Sequence, residues 1–275
     1  MLTRIVQKTH GASILAEHRI AYTGIEVRPC GTLHEYEECV RLQRVVWGED
    51  IVVPSTMFVV AHHTGGQIIG AFDGAKMVGF TMALAGVRGR KPFLHSHMTA
   101  VLEEYRDRGV GRRLKLFQRQ DALKRGIRLV EWTFDPLELK NAHFNLVRLG
   151  AIARRFIPNC YGVTQSPLHA GLPTDRLVAE WWLDSDRVKN ILADSPLPAT
   201  GPIARISLPS NLGEIKSQDR DDGARIQSGA REQFEKYFRS GCVATGIEAR
   251  GATTDYLLEP VAAVSGLQLP PFHDE

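Results

Sequence analysis

The sequence predicts a mixed α/β protein in which a mostly antiparallel sheet is flanked by helices and followed by a small C-terminal β-α-β-β extension. β-rich runs alternate with segments of helical periodicity as far as Leu183. An Asp73-Gly74 step joins two of those runs as a hairpin, because both residues tolerate positive φ. A stretch rich in Pro, Ala and Gly, Asp194 to Pro202, then sets off a shorter tail.

Residues 1–20 show no clean pattern and are expected to be an N-terminal extension without an assigned role. Gly24 to Cys30 reads as a short strand, and Leu33 to Trp47 as a helix with Leu33, Tyr36, Val40 and Trp47 at helical spacing. Met57 to His62 suggests a second short helix. Gln67 to Phe72 and Lys76 to Leu84 form the hairpin strands, and Pro92 to Leu102 a third strand beside them. Gly109 to Lys124 is helical, with Val110, Leu114 and Phe117 on one face and Gly126 as its stop. Arg128 to Phe134 is a strand and Asp135-Pro136 a turn. Leu137 to Leu149 reads as a second long helix striped by Leu139, Ala142, Leu146 and Leu149 and closed by Gly150. Ala151 to Phe156 and Arg176 to Leu183 complete a main domain over 21–190. The remainder, 191–275, is a linker and an accessory subdomain with a strand near Ala204 to Leu208, a helix over Gly223 to Arg239, and strands near Cys242 to Ile247 and Thr254 to Leu258. So small a piece is expected to dock on the main domain or on a partner subunit.

Composition narrows the function classes. The chain has 275 residues, 43% hydrophobic and 24% charged, the balance of a globular protein. A net charge of +3 is too near neutral for nucleic acid to be the expected partner through bulk electrostatics, so any anion site must be local. No run approaches the roughly 20 apolar residues of a membrane span, and Arg4, Lys8, Glu17 and Arg19 interrupt the start where a signal peptide needs an apolar core. A cytoplasmic location and no membrane partner are therefore expected. Cys30, Cys39, Cys160 and Cys242 form no C-x-x-C pair, so neither a metal site nor a disulfide framework is expected.

Phe93 to Arg125 is the most informative stretch. A strand ends at Val101-Leu102, a charged turn follows, and Arg106-Asp107-Arg108-Gly109-Val110-Gly111 opens a helix. Glycines let the backbone come close, and the unpaired N–H groups of a first helical turn aim partial positive charge at an anion. Arg106, Arg108, Arg112, Arg113, Lys115, Arg119, Lys124 and Arg125 outnumber Asp107 and Asp121, an excess able to hold a pyrophosphate and a further phosphate. Taken alone, the stretch also fits a Gly-rich turn that starts a helix with a solvated basic face.

In context, Ala100-Val101-Leu102-Glu103-Glu104-Tyr105-Arg106-x-x-Gly109-x-Gly111 resembles the signature of the GNAT superfamily of N-acetyltransferases, and the order of elements from about Gly24 to Leu183 follows that family. The tail is not covered. The resemblance implies acetyl-CoA or another short-chain acyl-CoA as co-substrate. Its pyrophosphate would lie on Arg106, Arg108, Gly109, Val110, Gly111, Arg112 and Arg113, chiefly through main-chain N–H groups, and its pantetheine arm along Thr99, Ala100 and Val101. The helix over 138–149 would line the other side of that arm. There Asn141 and Asn145, one helical turn apart, could face the coenzyme or solvent.

Acyl transfer to an amine needs a base, a polarised thioester carbonyl and a stabilised thiolate. His95 and His97 stand at i and i+2 on a strand, so both point to one face, and their ordinary pKa near 6.5 suits a base. The His-x-His is similar to the histidine pair of the arylalkylamine N-acetyltransferases within the same superfamily. Where that superfamily usually carries a Tyr acid, four residues before the helix-ending glycine, this sequence has Leu146. The acid is then another residue such as Tyr161, or water, or no side chain at all because a thiolate is a tolerable leaving group; a packed loop aromatic is the plain alternative for Tyr161. Asp135 could face the cleft or merely shape its turn. Arg154 or Arg155 could clamp a carboxylate, which would favour an amino-acid acceptor or a dicarboxylic acyl group; strand alternation would turn only one of them inward.

The expected function is transfer of acetyl, or a short acyl group such as succinyl, from coenzyme A to an amine of a small molecule by direct attack in a ternary complex. Two alternatives stay open: a coenzyme-binding or scaffold protein that has lost turnover, and a biosynthetic enzyme running another reaction on the same fold. Homodimers are common among soluble enzymes, and the tail is the candidate interface.

Overall fold

The computed structural model describes residues 24–49, 52–162, 171–197 and 201–264; the extension at 1–20 lies outside them. The first half is built on local signals. Strand β1 (Ile25–Pro29) leads to helix α1 (Leu33–Trp47), whose start is fixed by a capping box: the Thr32 hydroxyl accepts from the Glu35 N–H, and the Glu35 carboxylate accepts from the Thr32 N–H. After α2 (Ser55–His63), the strands β2 (Gln67–Asp73) and β3 (Lys76–Arg88) pair as the expected hairpin about Gly74, which has φ +57°. β4 (Lys91–Val101) returns along β3, and α3 (Val110–Lys124) crosses back to β5 (Leu129–Phe134).

The sequence reading of one long helix over 137–149 needs correction. It is a short α-helix, α4 (Leu139–His143), continued by a π-helical turn over Phe144–Arg148. One extra residue is accommodated there, so the Leu149 N–H bonds to Phe144 O, five residues back. Then come β6 (Ile152–Ile157) and β7 (Arg176–Trp182). An unanticipated helix, α5 (Asp186–Leu192), is capped by the Ser185 hydroxyl, which accepts from the Val188 N–H. The tail contributes β8 (Ala204–Pro209), a second unanticipated helix α6 (Leu212–Gln218), α7 (Arg220–Arg239), β9 (Cys242–Arg250) and β10 (Thr253–Pro260).

Among the described residues ten strands form one sheet, in the order β1-β2-β3-β4-β5-β7-β6-β9-β10-β8. It is antiparallel except at β4–β5. The tail therefore extends the sheet through β6 and β9, which meet at Ala153 and Ala244. One core cluster runs from Trp132, Leu146 and Trp181 to Phe234, Tyr256 and Leu258 of the tail, while a second lies around β1 to β4 with α1, α2 and α3. Such shared apolar burial is the main term holding the tail to the body. The buried Tyr256 hydroxyl adds a 2.6 Å hydrogen bond to Pro136 O. Among the described residues no helix is long and apolar enough to cross a membrane.

Candidate active site

Two features of β4 create the site. The first is a bulge: Met82 pairs with Met98 and Ala83 with Ser96, so His97 is the extra residue. The second is a parting of strands. β4 and β5 pair only at Leu94–Val130 and His95–Glu131, and from Ser96 onward the far edge of β4 has no strand partner among the described residues. Thr99, Ala100 and Val101 lie on that open stretch. Their side chains are settled within the fold: Thr99 Oγ1 lies 2.8 Å from Thr81 Oγ1, Ala100 is buried, and the Val101 side chain faces Gly111. At present Arg106 Nε donates to Val101 O at 3.2 Å.

Beyond β4 a 3-10 turn (Glu103–Tyr105) leads into the Arg/Gly loop, with Asp107 at φ +58° and Gly109 at φ +78°. Gly109 is the N-cap of α3, and no side chain caps the helix. Its first-turn N–H groups are thus left to an outside acceptor. A β-carbon on Gly109 would meet nothing within 4 Å, and one on Gly111 would touch only Val101 Cγ2 at 4.0 Å. Gly109 is demanded by its left-handed backbone, whereas Gly111 has an ordinary φ and no crowding within the chain. The space beside Gly111 is what a close-lying ligand would fill. Arg112 Nε, one residue on, is buried without a hydrogen-bond partner. An uncapped helix start, open space at two glycines and an orphaned cationic donor fit a phosphate group.

The basic excess counted along the sequence shrinks in the structure. Lys115 turns under the sheet, Arg113 donates to Ile25 O, Arg119 to Leu183 O, and Arg125 to Gly65 O. Arg106, Arg108 and Arg112 remain near the loop, with Arg108 over the Tyr105 ring.

His95 and His97 do share a face, with ring centroids 6.4 Å apart, His95 partly buried and His97 exposed. Burial lowers the pKa of both; for His95 the charges of Lys115 and Arg155 and the neighbouring His97 act in the same direction, and Glu131 opposes them. Both imidazoles are accordingly neutral near pH 7. On the splayed part of β5, Thr133 Oγ1 lies 2.7 Å from the Tyr161 hydroxyl. Tyr161 is exposed, yet partial desolvation of its hydroxyl raises its pKa and keeps it protonated.

Other candidates move. Asp135 accepts from the Leu137 N–H at 2.8 Å and stands 4.0 Å from Arg176, and burial pushes its pKa up; it shapes its own turn. Arg154 is buried, with Nε 3.0 and 3.1 Å from the two Glu180 oxygens, so it cannot clamp a substrate carboxylate. The alternation argument fails there because β6 bulges at Arg154, and both Arg154 and Arg155 reach Glu180. Asn141 is exposed while Asn145 is buried with its Nδ2 unpartnered, so the π turn separates what a regular helix would align. Leu146 is fully buried in the core.

The sequence reading missed a polar row. His95, Glu131 and Glu180 are register neighbours across β4, β5 and β7, and hence on one face. Glu131 accepts two hydrogen bonds from Arg88, at 2.5 and 3.0 Å, and a third from Arg155; Glu180 accepts from Arg154, from Arg155 at 3.3 Å and from Trp182 Nε1 at 3.2 Å. The available signal was a glutamate in the middle of each apolar strand, Val130-Glu131-Trp132 and Ala179-Glu180-Trp181. Lys115 was missed in the same way. Its buried ammonium donates to Ser96 Oγ at 2.7 Å and Gln118 Oε1 at 3.0 Å and sits 4.2 Å from the Trp132 ring centroid, and burial lowers its pKa to about 7.

The sequence model of the acetyltransferase (GNAT) family matches residues 33–150. This part of the chain is similar to a GNAT acetyltransferase domain. It contains the splayed strands, the loop and α3. Among solved structures, the ribosomal-protein-S18-alanine N-acetyltransferase from Escherichia coli is 14% identical, with 64% of this chain and 97% of that chain covered and a TM-score of 0.47. Naa50 of Arabidopsis thaliana, in complex with a bisubstrate analogue, is 14% identical, with 57% and 97% covered and a TM-score of 0.47. A putative acetyltransferase from Salmonella typhimurium, yncA, with its cofactor acetyl-CoA, is 13% identical, with 58% and 95% covered and a TM-score of 0.48. No curated protein matches the chain.

Proposed function

We propose that the protein transfers a short acyl group from acyl-CoA to an amine of a small molecule, in a ternary complex. The observation that carries the reading is the uncapped start of α3 behind Gly109-Val110-Gly111, with open space beside Val101 at the far end of the β4 edge that β5 leaves open. Bound acyl-CoA supplies an activated thioester carbonyl. Main-chain N–H groups of the first turn, with Arg106, Arg108 and Arg112, hold its phosphates. The open edge of β4 at Thr99 to Val101 takes the pantetheine arm, Arg106 giving up Val101 O as it turns to the phosphates. Asn145 offers its unpartnered Nδ2 from the π turn.

The chain's remaining task is proton movement. The neutral His95–His97 pair accepts the proton that the amine loses as its nitrogen bonds to the carbonyl carbon. The Tyr161 hydroxyl gives a proton to the sulfur as the C–S bond breaks and the electron pair leaves with it. An amide and a free thiol result, and both side chains return to their starting state by exchange with water. Leu146 favours a second reading, a coenzyme-binding module without turnover.

Titration calorimetry with acetyl-CoA and succinyl-CoA tests the first reading. Saturable binding that is lost in Gly111→Glu supports the loop, and thiol release with any amine then separates enzyme from module. A protein that binds neither thioester overturns the proposal.

A further inference from the structure

The polar row beside His95 is a cluster of paired charges. Three guanidiniums (Arg88, Arg154, Arg155) surround two carboxylates (Glu131, Glu180), and His95 is neutral near pH 7. The carboxylates are buried, with side chains 3% and 1% exposed, whereas Arg155 keeps 32% of its side chain exposed. Glu131 takes Nη2 of Arg155 and Glu180 takes Nε, so the guanidinium is held in one orientation, while Nη1 has no acceptor among the described residues. A fixed, half-exposed guanidinium with donors to spare is the geometry that binds a carboxylate. It lies on the face that carries His95, close enough for its charge to act on that imidazole.

We infer that Arg155 receives a carboxylate belonging to one of the two reacting molecules, either the amine or the acyl chain. Glu131 and Glu180 act as positioning residues, aiming Arg155 where lone glutamates in a strand pair would repel each other. The inference rests on the acyltransfer reading and narrows it to a substrate class: an amino acid with a simple acyl group, or an amine with a dicarboxylic acyl group.

The test is a matched panel. Acetyl-CoA and succinyl-CoA are each titrated onto the protein, and each is assayed for thiol release with amino acids and with the amines formed by removing their α-carboxyl groups. If neither thioester binds, it is the acyltransfer reading that fails. If acetyl-CoA binds and acids and amines serve equally with both thioesters, that reading stands and the Arg155 assignment is overturned. A preference of about 10-fold or more for acids with acetyl-CoA places the carboxylate on the acceptor; the same preference for succinyl-CoA with amines places it on the acyl chain. Where turnover is slow, binding of each acid and amine to the CoA-loaded protein gives the same comparison, and equal or absent binding overturns the assignment. Arg155→Gln should erase the preference while the acetyl-CoA dissociation constant stays within about twofold. Arg155→Lys, which keeps the charge and loses the fork, should retain part of it and remains informative if the Gln variant fails to fold. A preference that survives Arg155→Gln also overturns the assignment.

Discussion

His95 and Glu131 are the last residues through which β4 and β5 are joined. The bulged His97, the open edge to Val101, the loop, and Thr133 with Tyr161 on the other arm all lie beyond this pair. A pair that closes one end of the splay also fixes where a proton acceptor stands relative to the opening.

Replacing both His95 and His97 by Ala is expected to lower kcat about 100-fold or more at neutral pH and to leave acetyl-CoA affinity unchanged. Burial holds both pKa values below the usual 6.5, so the neutral base persists to lower pH and the acid limb of kcat/KM should fall below pH 6.5. The stability sign follows. Between the folded pKa and 6.5 the unfolded chain binds more protons, so stability is full above 6.5 and declines as pH drops through that window. Rate profiles and urea melts of the wild type and double variant check both statements, and an acid limb above 6.5 would contradict them.

The two loop glycines should respond differently. Gly109→Ala forces a left-handed backbone on alanine and should cost about 1 kcal/mol of stability. A β-carbon on Gly111 meets only Val101 Cγ2, at 4.0 Å, so Gly111→Ala should change stability by no more than about 0.5 kcal/mol. Coenzyme affinity should nonetheless fall in Gly111→Ala, by about 10-fold or more, as a ligand lying against that backbone would meet the added methyl. Thermal melts beside calorimetric titrations separate the two effects.

Lys115 makes stability pH-dependent on the alkaline side. Its folded pKa of about 7 lies below the usual 10.5, so between those values the unfolded chain carries the extra proton and stability rises with pH. The slope should approach about 1.4 kcal/mol per pH unit from this group. Lys115→Met should remove most of it, as read by urea unfolding at pH 7, 8 and 9. An unchanged slope would mean that the amine is not buried as described.

Arg187 joins three segments with one side chain. It donates to Leu146 O and Gly150 O at 3.2 Å and to Thr245 O at 2.5 Å, from a buried position that lowers its pKa to about 10. Arg187→Met strands all three carbonyls and should destabilise the protein by roughly 3 kcal/mol. Amide hydrogen exchange should quicken in the π turn and in β9 together. Exchange that changes in only one of them would show that the tail and the π turn are not coupled through this residue.

The legible parts of the fold were those with a local cause. Thr32 and Glu35 mark a helix start, Asp73-Gly74 a hairpin, and Gly109 and Gly126 the ends of α3, because capping, turn chemistry and positive φ are written within a few residues. What escaped depends on partners distant in sequence. β7 inserts between β5 and β6, which no short-range pattern encodes. The bulges at His97 and Arg154 exist only relative to neighbouring strands, and the π turn only as a departure from a regular period. The site shows the same division. The loop and histidines were visible as motifs, whereas Arg88, Glu131, Arg155 and Glu180 become a cluster only after four strands have assembled.

The junction of β6 with β9 has a consequence for synthesis. During translation the chain completes β4, β5, β6 and β7 well before it reaches Cys242, and until β9 arrives β6 is a terminal strand with unpaired main-chain groups on its outer side. Such strands recruit other chains. The nascent protein thus passes through an interval in which its first seven strands are complete yet one edge is adhesive. The late segment closes that interval, acting toward the rest of the molecule as a built-in chaperone.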